Sequence, residues 1–126
     1  MYIELDGHIG HFGVGWNGKP DEDAPRRDLM KETWALEHGR RVIRLLQRDV
    51  WVANYDWGIF LTEAIRLTLD ASTSFVLCQN VPEYEGGVYA SLRNVWSCRE
   101  MSLVEPFQIL VYHPCENFDI EICDPV

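Results

Sequence analysis

Two acids, two histidines and a run of basic residues crowd the N-terminal part of this chain. Tyr2-Ile3-Glu4-Leu5-Asp6-Gly7 places Glu4 and Asp6 at alternate positions, so both side chains share one face of an extended strand. His8 and His11 follow closely, and Arg26-Arg27-Asp28-Leu29-Met30-Lys31 opens a predicted helix. That helix ends at Gly39 and the chain runs on into Arg41-Val42-Ile43-Arg44-Leu45-Leu46-Gln47. Carboxylates at a strand end are ligands for a hard divalent cation, a histidine moves a proton near neutral pH, and arginines hold phosphate. Together these side chains suit phosphodiester hydrolysis.

The elements that would position them follow from periodicity. In residues 1–6, Tyr2, Glu4 and Asp6 point one way and Ile3 and Leu5 the other, as in a strand with one apolar face. Residues 7–27 hold five of the nine glycines, two prolines and Asp21-Glu22-Asp23, which predicts a long loop. Asp28 suits the N-cap of a helix over 29–38, with Leu29, Met30, Trp34 and Leu36 inward and Gly39 as its stop. Residues 41–47 suit a central strand. Asp56 reads as the N-cap of a second helix to about Asp70, with Phe60, Ala64 and Leu67 on one stripe and Leu61, Ile65 and Leu69 beside it. Thr73 to Gln79, Phe107 to His113 and Phe118 to Cys123 read as further strands, and Pro82 to Gly87 as a turn. Strand alternating with helix predicts an α/β fold, a small mixed sheet flanked by helices with parallel pairing across the crossovers.

Composition narrows the class. The chain has 126 residues, 47% of them hydrophobic, enough for one ordinary core and too few for two. No apolar run reaches membrane-span length and no secretory leader pattern is present, so a soluble, intracellular protein is expected, without membrane association and not secreted. Cys78, Cys98, Cys115 and Cys123 form no CxxC pair and sit among apolar residues, which favours reduced core thiols over disulfides or zinc. The net charge of −9 weighs against tight DNA binding, but it is unevenly spread. Residues 1–70 carry 9 cations against 12 acids, and residues 71–126 carry 2 against 8. DNA binding is therefore expected to be weak, cation-assisted and salt-sensitive.

The ordered set Glu4-Leu5-Asp6-Gly7, His11-Phe12, Arg27-Asp28 with Lys31, Gly39, Val42-Ile43-Arg44, Gln47, Asp49-Val50 and Asp56-Trp57 resembles the PD-(D/E)XK nuclease superfamily. Within it the similarity is to the very-short-patch-repair (Vsr-like) branch and its EDxHD homing-endonuclease relatives. The match covers roughly residues 1–80. The resemblance implies a restriction-endonuclease-like core over 1–92, with residues 93–126 adding strands to the same domain, and a Mg²⁺- or Mn²⁺-dependent DNA endonuclease. It maps the metal-site acids onto Glu4 and Asp6, the histidine that assists water attack onto His11 and a further acid onto Asp28. Lys31, Arg44 and Gln47 fall where substrate-binding residues are expected. The superfamily also supplies an N-terminal helix and a preceding strand bearing an aspartate. This sequence starts on the strand after these, so weak or absent catalysis is expected, together with an open sheet edge that residues 107–123 or a second chain in a homodimer would cover.

Other readings use the same residues. Glu4 and Asp6 also suit solvated acids on an edge strand, Asp28 a plain helix cap, His8 and His11 ordinary loop positions, and Arg44 and Arg48 partners for surface acids. His38, just before the helix-stop glycine, suits the negative end of the helix dipole. Trp51, Tyr55 and Trp57 suit core packing and, alternatively, stacking on a base. The corresponding alternatives for the whole chain are a catalytically silent nuclease-fold protein that binds another protein, and an acidic DNA mimic.

Overall fold

The computed structural model describes residues 1–7, 23–52, 56–85, 99–104 and 109–114. His8, His11, Tyr55 and the strand expected over 118–123 lie outside them. The described residues form an α/β fold: β1 (Tyr2–Asp6), α1 (Asp23–Glu37), β2 (Val42–Leu46), α2 (Gln47–Val52), α3 (Trp57–Asp70), β3 (Val76–Gln79), α4 (Pro82–Glu85), β4 (Arg99–Val104) and β5 (Ile109–Pro114). The five strands make one mixed sheet in the order β1-β2-β3-β5-β4. β1, β2 and β3 are parallel, with Glu4 opposite Arg44 and Arg44 opposite Cys78, while β5 runs antiparallel to both β3 and β4. No helix among the described residues is long and apolar enough to cross a membrane.

β2 is an interior strand, flanked by β1 and β3, and all five of its residues are buried, four of them apolar and the fifth Arg44. Its side chains alternate between two cores. Val42 and Leu46 pack with Leu29, Ala35 and Leu36 of α1, with Val76, Cys78, Leu110 and Tyr112 of the sheet, and with Tyr84 of α4. Ile43 and Leu45 pack on the other face with Phe60 and Ala64 of α3 and with Leu77, Ile109 and Val111. Thus α1 and α3 cover opposite faces. The connections β1–α1–β2 and β2–α3–β3 step the same way across the sheet, so two right-handed crossovers would put both helices on one face. One of them is therefore of the rarer left hand.

The helix ends obey local chemistry. Gly39 adopts φ 72°, and the amide of Arg40 bonds the Ala35 carbonyl while that of Gly39 bonds the Leu36 carbonyl. That pair of bonds is a Schellman motif, which turns the chain from α1 into β2. Asp56 accepts from the Ile59 amide and caps α3, as its position predicts.

Five expectations need correction, the first being the turn expected over Pro82 to Gly87, whose described part is the helix α4 over Pro82–Glu85. α1 begins at Asp23, not after Asp28, so Asp28 lies inside the helix and caps nothing. The buried stripe of α1 is Pro25, Asp28, Leu29, Glu32, Ala35 and Leu36, whereas Met30 and Trp34 are each 53% exposed. Helical geometry chose the face with two acids because a buried cation waits beneath it. On α3, Thr68 is buried in place of Leu69, and its hydroxyl donates to the Ala64 carbonyl. Finally, β5 (109–114) pairs with β3 and β4 on the far side of the sheet, so these residues do not cover β1, which is an edge strand among the described residues, with Ile3 and Leu5 about half exposed; residues 118–123, the other expected cover, lie outside them.

Candidate functional site

The site forms where α1 lies over β1 and β2. Parallel register sets Glu4 beside Arg44 on the face that α1 covers, and Asp6 lies on the same face, at the C-terminal end of β1. From above, Asp28 and Glu32, one helical turn apart, point down from the buried stripe of α1.

Arg44 is the hub. Its Nη1 donates to Asp6 Oδ1 and to Asp28 Oδ2, and its Nε to Glu32 Oε1, each at 2.8 Å. The guanidinium is 1% exposed, Asp6 1%, Glu32 2% and Asp28 8%. Asp6 is held a second time, since the Tyr84 hydroxyl donates to its Oδ2 at 2.7 Å. The Tyr112 hydroxyl in turn donates to the Tyr84 carbonyl and ties β5 to this network. Three buried carboxylates thus face one buried guanidinium, and the exposed Glu4 adds a fourth acid at the mouth. Burying charge is expensive unless it is paired, and Arg44 is bonded to all three of the buried acids.

Glu4, Asp6 and Asp28 each present a carboxylate oxygen within 4.8 Å of the other two. Opposite ligands of an octahedral Mg²⁺ lie about 4.2 Å apart, and those of Ca²⁺ nearer 4.8 Å. The donor set is all oxygen, the kind that suits Mg²⁺, Mn²⁺ or Ca²⁺ over zinc or copper. These residues fit a hard divalent cation.

The remaining expected residues are dispersed around this cluster. Lys31 is exposed on α1 and lines a cavity of about 170 Å³ with Tyr2, Glu4, Glu32, Trp34 and Arg44. Gln47 is half-buried at the start of α2, its side-chain oxygen 3.1 Å from where a Cβ on Gly7 would lie, so Gly7 admits it beside the end of β1. Arg44 is too deeply buried to meet a phosphate backbone and instead positions the acids. Glu32 and Tyr84 escaped the sequence reading. Glu32 carries a usable signal, its spacing of four from Asp28; Tyr84 stands in a stretch that reads as a turn and carries none.

Three other polar groups have structural partners. His38 stacks on Trp34 with ring centroids 4.0 Å apart, and its Nδ1 lies 2.8 Å from the Trp34 carbonyl at the end of α1. Gln79 accepts from the Leu46 amide and donates to Asp49, binding β3 to the start of α2. Arg48 donates to Glu83, and this hydrogen bond, against some loss of hydration, raises the Arg48 pKa above its already high ordinary value. Its charge is constant at any working pH.

Comparison with known proteins found no matching family model, no matching curated protein and no matching solved structure.

Proposed function

We propose that this chain is a divalent-cation-dependent, DNA-directed phosphodiester hydrolase of PD-(D/E)XK type, acting weakly and inside the cell. The observation that carries the reading is the convergence of Glu4, Asp6 and Asp28 from a strand and a distant helix, each with a carboxylate oxygen within 4.8 Å of the other two. These three residues would hold Mg²⁺ or Mn²⁺. The cation supplies polarisation of a phosphoryl oxygen and acidification of a water. Arg44 and Tyr84 keep Asp6 oriented, and Arg44 keeps Asp28 and Glu32 in place. His11 takes the proton of the attacking water in this reading. Lys31, exposed beside Glu4, and Gln47, beside Gly7, face the substrate strand.

Titration calorimetry with Mn²⁺ tests the reading, comparing wild type with Glu4→Gln, a substitution at an exposed position that spares the ion pairs. Wild type should bind, and at about one hundred times Kd the cation should stabilise it by about 2.7 kcal/mol. Glu4→Gln should bind at least about tenfold more weakly. Plasmid nicking in Mn²⁺ should be slow and fall further in His11→Ala. Equal heats from both proteins, or nicking indifferent to His11, would move the chemistry elsewhere.

A second reading has its own support. Both oxygens of Asp6 are engaged, by Arg44 and by Tyr84, as befits a structural ion network in a catalytically silent protein that binds another protein. In that case Mn²⁺ leaves the melting temperature unchanged. The acidic stretch that a DNA mimic would present lies mostly outside the described residues.

A further inference from the structure

The cavity between α1 and β1 has features that hydrolysis does not use. We propose that it is a nucleobase pocket, which takes one unpaired, amino-bearing base of a single-stranded or splayed DNA strand beside the acid cluster. The inference rests on the DNA reading above and narrows its substrate to strands whose bases are open.

Size comes first. A cavity of about 170 Å³ is close to one that accepts a single aromatic ring and too small for most larger ligands. Its walls match a base. Tyr2 and Trp34, both about half exposed, supply aromatic surface, and the Trp34 ring is braced by its stack on His38. Every base has a face that stacks on such rings. Polarity is set by Glu4 at the mouth and by Glu32 and Arg44 deeper in, where Arg44 is already bonded to Glu32.

A carboxylate accepts from an exocyclic amine such as that of cytosine. Thymine offers one N–H between two carbonyls, which the Glu4 carboxylate repels. The exposed ammonium of Lys31 lies on the same wall, placed to meet the phosphate attached to the seated base. Glu4 belongs to both the cavity and the carboxylate triad, so a seated base brings its own backbone to the acids. In duplex DNA the base is stacked and paired, and must be extruded before it can enter.

Fluorescence anisotropy with end-labelled oligo(dC), oligo(dT) and a duplex of the same length tests the pocket, in EDTA and in Mg²⁺. Oligo(dC) should bind at least about fivefold more tightly than either of the others, in both buffers. Trp34→Ala should weaken oligo(dC) binding by about five- to hundredfold, at an unchanged melting temperature because Trp34 is half exposed. Trp34→Phe keeps a ring and should stay near wild type. Equal affinity for the three DNAs, no binding, or indifference to Trp34→Ala overturns the proposal. Selective binding in EDTA supports the pocket even where cation-dependent cleavage is absent, which separates this inference from the hydrolase reading.

Discussion

Arg44 sits where Asp6, Asp28 and Glu32 meet, and the cost of removing it depends on what replaces its charge. Arg44→Met keeps much of the volume but removes the guanidinium that three buried acids share. Breaking a buried ion pair from one side typically costs about 3–5 kcal/mol, a large part of the stability of a small domain. If the acids also bind a divalent cation, Mn²⁺ should raise the melting temperature of Arg44→Met more than that of wild type, because the cation replaces the lost charge. Thermal scans with and without Mn²⁺ check this; a loss that Mn²⁺ does not restore assigns the cluster to structure alone. At this scale Glu4, Asp6 and Asp28 were legible as acids that belong together. The role of Arg44 was not, because an arginine in an apolar strand reads equally as a surface residue and as a buried hub until the helix above it is known.

At the scale of elements, α1 decides whether the site exists, because it delivers Asp28 and Glu32 onto the sheet. Its position depends on the turn at Gly39, where φ is 72° and no heavy atom lies within 4 Å of a would-be Cβ. Gly39→Ala therefore meets no clash and costs only the left-handed backbone, about 1–2 kcal/mol. Urea denaturation should show a lower midpoint with an unchanged slope. β2, α3 with its Asp56 cap, β3 and β5 were readable from their apolar patterns and turn residues. The start of α1 was not, since an aspartate before Leu29 and Met30 looks the same whether it caps a helix or lies buried within one. α2 and α4 are too short to develop a period, and Arg-Glu-Met-Ser-Leu-Val in β4 does not alternate cleanly.

For the whole molecule, the β4–β5 hairpin is part of the core, on the far side of the sheet from β1. β5 lies between β3 and β4, with Ile109, Leu110, Val111 and Tyr112 each at most 5% exposed. Fully burying such side chains contributes about 1.5–3 kcal/mol apiece, so the four together rival the entire net stability of a domain, about 5–15 kcal/mol. Both cores draw on them, Leu110 and Tyr112 on the α1 side and Ile109 and Val111 on the α3 side. Deleting residues 107–126 should therefore abolish cooperative unfolding, and it also leaves β3 with an unpaired edge prone to aggregation. Tyr112→Phe is the graded counterpart. It keeps the packing but removes the hydroxyl that bonds the Tyr84 carbonyl, at a cost of about 1–3 kcal/mol for the buried partner left behind. Calorimetry of the two proteins checks the placement: a truncated chain that stays monomeric and melts cooperatively contradicts β5 as an interior strand, whereas a cooperative but lower melt for Tyr112→Phe alone locates the link from the hairpin, through Tyr84, to Asp6.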